Sequence, residues 1–153
     1  MKELLEYRVK LIERLGKAAQ EFCAACKAVE NPFTKVEGEW TLHQIVWHTR
    51  DVDKLIYGVR IRQTLNENNP LFKSFDADAW MASHYDQDEA LETILSEFSA
   101  SIEDLCKILS AMPNEAWSRV SQHETIGGEL TLQLWAERSL AHIEEHLQTV
   151  KKA

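Results

Sequence analysis

The chain has 153 residues, the size of one ordinary domain with room for a sizeable core. Hydrophobic residues make up 44% and charged residues 27%, proportions that exclude a disordered or collagen-like chain. With 17 basic against 25 acidic side chains the formal charge is −8, and no basic patch interleaved with aromatics offsets it, so a nucleic-acid partner is not expected.

Five Gly and three Pro leave few turns, which favours a handful of long elements. No apolar run is long enough to cross a membrane. The opening Met1-Lys2-Glu3 lacks the uninterrupted apolar core of a signal peptide, and three Cys make an odd number, so a reducing cytoplasm is the expected address.

From Lys2 to about Glu30, Leu4, Leu5, Val9, Leu11, Ile12, Leu15, Ala18, Ala19 and Phe22 recur at helical spacing, predicting an amphipathic helix that ends before Asn31-Pro32. A short connector leads to Gly38-Glu39-Trp40. Thr41 and Gln44 have the spacing of a capping box, with Trp40 and Ile45 at the hydrophobic-staple positions. The second helix then presents Ile45, His48, Thr49, Val52, Leu55, Ile56 and Val59 inward and runs to about Leu65. Trp47 points away from His48, toward a flank where a homodimer partner would sit.

The connector from Pro70 to Tyr85 is apolar enough, with Phe72, Phe75, Trp80 and Met81, to pack across a bundle end, and a short helix is expected near Asp76 to Ser83. Asp86 and Glu89 give a second capping signal for a helix reaching Met112-Pro113, with Leu91, Ile94, Leu95, Phe98, Ile102, Leu105, Ile108 and Leu109 as its stripe. Asn114 is placed to cap a turn containing Trp117, and Thr125-Ile126-Gly127-Gly128 suits a small hairpin or a loop. Thr131 opens a last helix with Leu132, Trp135, Ala136, Ile143, Leu147 and Val150 inward. Together these elements predict an all-α, single-domain four-helix bundle, up-down, with a longer connector between helices 2 and 3.

Chemistry is concentrated in the six His. His142 and His146 are four apart, so their imidazoles project from one side of the last helix and can share a divalent transition metal. His48 is the strongest third ligand, an inward imidazole among Val52, Leu55 and Val59. Three His from two helices leave coordination positions open, as in catalytic sites. His43 falls on roughly the opposite side of its helix and is set aside with His84 and His123. Ile143, Glu144 and Glu145 separate the pair, so there is no H-E-x-x-H protease motif. Cys23 and Cys26 have redox spacing but lie in mid-helix, away from the exposed helix N-terminus that activates a thiol, and read as packing residues, as does Cys106.

Three stretches carry a family resemblance: Trp40-Thr41-Leu42-His43-Gln44-Ile45-Val46-Trp47-His48, Phe75-Asp76-Ala77-Asp78-Ala79-Trp80, and Leu140-Ala141-His142-Ile143-Glu144-Glu145-His146-Leu147. In these the chain resembles the DinB/YfiT-like superfamily of four-helix-bundle metalloenzymes. The resemblance implies a divalent metal (nickel, zinc or iron) held by His48, His142 and His146. It further implies a small-molecule substrate and either a hydrolase or a transferase using a low-molecular-weight thiol. Asp76 and Asp78 would then cap the connector helix or, less in keeping with their position, orient the site. The competing expectation is a non-enzymatic binding or stress-response bundle whose metal site is structural or vestigial.

Overall fold

In the computed structural model, which describes residues 1–153, each long apolar stripe forms a helix that turns the stripe inward. Helix α1 (Lys2–Lys27) buries Leu11, Leu15, Ala18, Ala19, Phe22 and Cys26, the spacing of a core-facing side. Its first turns depart from the expected pattern. Val9 is exposed, whereas Arg8 is buried and donates from Nε to Gln133 Oε1 at 2.9 Å.

The stretch expected as a plain connector contains β1 (Lys35–Glu37) and β2 (Trp40–Thr41), an antiparallel hairpin turned at Gly38, whose φ is 56°. That left-handed conformation would cost a residue with a Cβ roughly 1–2 kcal/mol. Thr41 then caps α2 (Leu42–Val52). Its hydroxyl accepts from the Gln44 N–H at 3.2 Å, and Gln44 Oε1 accepts from the Thr41 N–H at 2.8 Å.

Beyond Val52 the rod continues through a π-helical turn (Asp53–Tyr57) into α3 (Gly58–Asn66). The Gly58 N–H donates to the Asp53 carbonyl, and a Cβ on Gly58 would lie 2.7 Å from that oxygen. The wider turn inserts a residue and advances the buried side. Leu55 and Val59, expected inward, are therefore only half-buried, while Arg60, Ile61 and Thr64 are buried.

After β3 (Leu71–Phe72), Asp76 caps α4 (Ala77–His84) by accepting from the Ala79 N–H at 3.0 Å. Asp86 and Glu89 do not cap α5 (Leu91–Ala111), whose N-cap is Ala90. Asp86 instead accepts from the Asp88 N–H, and Glu89 binds Arg50. A 3-10 turn (Asn114–Ser118) follows Pro113 without a side-chain cap from Asn114 and buries Trp117. The hairpin β4 (Val120–His123) and β5 (Gly127–Thr131) leads into α6 (Leu132–Lys151), where Thr131 Oγ1 accepts from the Leu134 N–H at 3.1 Å.

The fold is thus mostly helical but not free of strands. β3 lies parallel to β4, and β4 antiparallel to β5, joining the long connector to the last hairpin. These strands are too short for a period-two pattern to register in the sequence. Packing does not follow chain order either: α1 lies against α5 and α6, α2 against α5, and α3 against α6. Around the bundle the order is α1, α5, the α2–α3 rod, α6. The connectors after α1 and α5, 28–41 and 112–131, carry these crossings. Trp135, Phe22 and Phe98 are the largest fully buried side chains of one continuous core. Trp47 belongs to that core at 4% exposure, packed edge-on to Tyr85, so it offers no flank to a partner.

Candidate metal centre

His48 lies about two turns beyond the Thr41 cap, on the side of α2 that meets α6. His142 and His146 face it from α6. The His142 and His48 Nε2 atoms are 3.3 Å apart and those of His146 and His142 3.0 Å. One ring nitrogen from each residue lies within 4.8 Å of the others. All three imidazoles are held below their ordinary pKa. Burial pushes His48 to about 4, with repulsion from His146 adding to it. Burial also pushes His142 to about 3, helped by both neighbours, and lowers His146.

Neutral imidazoles so placed cannot satisfy one another. Each neutral ring has one N–H, so at least one close Nε2 pair sets lone pair against lone pair or leaves a donor misdirected. A shared cation removes that conflict. Nitrogens bound at roughly 2.0–2.1 Å to one tetrahedral or octahedral ion are about 2.8–3.4 Å apart, and the two close pairs here fall in that range. The donor set therefore fits a divalent ion of the zinc or nickel type. One feature departs from the usual metal-binding imidazole, which donates its other N–H to an acceptor: His146 Nδ1 is buried without a partner.

The cluster opens to a cleft of about 410 Å³ lined by Glu37, Trp40, His48, Asp78, His142, Glu145 and His146. Trp40, from β2, meets the His48 ring nearly at right angles, centroids 5.4 Å apart. Tyr57, on the π-helical turn, has its ring 5.8 Å from that of His142. Helix α4 is tied beside the site through Asp51, which accepts from Arg50 Nε at 2.8 Å and from Trp80 Nε1 at 2.9 Å. Asp78 reaches the cleft from that helix, while Asp76 is occupied as its cap.

The three His set aside in the sequence have structural duties. His43 is bracketed by the Tyr85 hydroxyl at 2.6 Å and the Glu89 carbonyl at 2.7 Å. His84 stacks on Trp80. His123 Nδ1 accepts from the Thr125 and Ile126 N–H groups and closes the β4–β5 turn. Burial raises the Cys23, Cys26 and Cys106 thiols, the reverse of what a reactive thiol needs. Nothing in the sequence marks Glu37, Trp40 or Tyr57 as neighbours of the site. Glu145, adjacent to His146, reads from the sequence as solvated surface rather than as part of the site, and the structure sets it on the cleft wall.

A helical bundle with a three-imidazole cleft between two of its rods defines the class of the molecule. The chain belongs to the DinB superfamily, which matches residues 11–150. It is 29% identical over 112 residues to a protein of Oceanobacillus iheyensis named "Putative metal-dependent hydrolase", an overlap of 69% of this chain. The chain spans 64% of that relative's length. The solved structure of YfiT from Bacillus subtilis, described as a probable metal-dependent hydrolase with an unusual four-helix bundle topology, shares the fold. Its TM-score is 0.74 at 22% identity, over 96% of this chain and 87% of that one.

Proposed function

We propose that this chain is a metal-dependent hydrolase of small molecules, with His48, His142 and His146 as ligands of one divalent ion. The observation that carries this reading is the convergence of three neutral imidazole nitrogens at an open cleft. Relatives named as metal-dependent hydrolases favour water over a thiol as the activated nucleophile.

A divalent ion bound there supplies Lewis acidity and lowers the pKa of a water in its open position. The chain's own residues do the rest. Burial keeps the three imidazoles unprotonated at neutral pH, so none must lose a proton before binding metal. Asp78 exerts the largest attraction of any carboxylate on a charge at His48, and its carboxylate is the proton acceptor we assign. Trp40 covers the His48 ring on one side and limits water there. Tyr57 packs its ring beside that of His142 and helps to hold it in place.

Metal analysis of purified protein tests the assignment. His48→Ala, His142→Ala and His146→Ala are each expected to lower zinc or nickel affinity by at least 100-fold, with hydrolysis of model esters and amides lost in parallel. Metal content unchanged in the triple variant would place the ion elsewhere. The reading as a non-enzymatic bundle predicts metal uptake without turnover of any such substrate.

A further inference from the structure

The metal reading leaves open which molecules the cleft admits, and its lining bears on that. Apart from the imidazoles and the Trp40 ring, every side chain on the cleft wall is a carboxylate: Glu37 from β1, Asp78 from α4 and Glu145 from α6. No Lys or Arg lines it. None of the three takes part in any of the molecule's ion pairs. Basic residues on the neighbouring elements are turned to other partners, Lys35 to Glu39, Arg50 to Asp51 and Glu89, and Lys151 to Glu21.

The carboxylates come from three elements remote in sequence, so their meeting is not the by-product of one acidic helix side. A divalent ion brings two positive charges, which the three carboxylates outweigh by one. The loaded cleft thus stays negative. Its one aromatic wall, Trp40, is the residue type whose ring attracts cations best.

Resting on the hydrolase reading, we infer that the cleft selects substrates whose recognised end is a cation, an ammonium or guanidinium group, and disfavours phosphate and carboxylate substrates. The potential acts over several ångströms and is screened by salt, so selection of this kind weakens as ionic strength rises.

Three hydroxamates with the same metal-binding head test this on zinc-loaded protein: glycine hydroxamate with its ammonium, neutral acetohydroxamate, and succinic monohydroxamate with its carboxylate. Calorimetry at low ionic strength should rank them in that order, with about a five- to tenfold spread in Kd from first to last. The spread should shrink in about 0.5 M salt. Glu37→Gln, Asp78→Asn and Glu145→Gln together should reverse the order while zinc content stays unchanged. Each single substitution should narrow the spread, which keeps the test available if the triple variant does not fold. Equal affinities, or a preference for the carboxylate in the unaltered protein, would overturn the proposal and leave the metal centre standing. Failure to take up zinc, measured before the titrations, would overturn both.

Discussion

Asp53 is the residue whose burial is hardest to account for by packing alone. It is 3% exposed, one oxygen accepts from the Ser101 hydroxyl at 2.7 Å, and the other has no partner. Burial pushes its carboxyl up to about 6, against the Ser101 hydrogen bond and the attraction of Arg62. The native state therefore holds a proton that the unfolded chain releases near pH 3.8, so this group's contribution to stability falls as pH rises from about 4 to 6. The His cluster works in the opposite sense over an overlapping window. With His48 at about 4 and His142 at about 3, the unfolded chain binds protons first, and metal-free protein loses stability as pH drops below about 6.5. Asp53→Asn should stabilise the metal-free protein at pH 7.5 by on the order of 2–3 kcal/mol. It should also steepen the loss of stability between pH 6 and 4, where only the His contribution would remain. Urea titrations of both proteins across that range check it, and parallel curves would show that Asp53 ionises freely.

At the scale of elements, the π-helical turn depends on one residue. A Cβ at Gly58 would meet the Asp53 carbonyl at 2.7 Å and Arg62 Nη1 at 2.8 Å. The arginine can swing away, but the backbone oxygen cannot. Gly58→Ala should cost about 1–3 kcal/mol by overpacking, although alanine is the better helix former by about 1 kcal/mol. A denaturation midpoint at or above the parent's would mean that the rod can rewind to a regular α-helix. This turn also marks where sequence reasoning lost the pattern. The four long rods were legible because their apolar residues keep a 3.6-residue period and because Thr41, Asp76 and Thr131 announce helix starts that their hydrogen bonds match. A constant period cannot register an inserted residue, so the sequence pattern puts Leu55 and Val59 on a side that the π turn rotates away. Asp86 and Glu89 satisfied a spacing rule, but Glu89 is drawn to Arg50, a contact 39 positions away in the chain. His142 and His146 were legible because a helix fixes their relation locally. Glu37 and Trp40 were not, since a hairpin of a few residues brings them to the cleft.

Across the whole molecule, the metal reading predicts linkage between ion and fold. The ligands come from α2 and α6, which the unfolded chain cannot hold together, so zinc binds the native state preferentially. At 100 times its Kd, the ion should raise stability by about 2.7 kcal/mol. Thermal unfolding with zinc and then with excess chelator should show a reversible rise and fall in Tm, absent in His142→Ala. A Tm indifferent to both would argue against an ion shared between the rods. The bundle's ring order also bears on synthesis. Because α1 rests on α5 and α6 rather than on the helix that follows it, it lacks its main partners while α2 to α4 are being made. Its apolar stripe, from Leu11 to Cys26, stays uncovered over that stretch of elongation, a window in which aggregation or chaperone capture competes with folding. The bundle closes only after α6 emerges, bringing with it two of the three imidazoles.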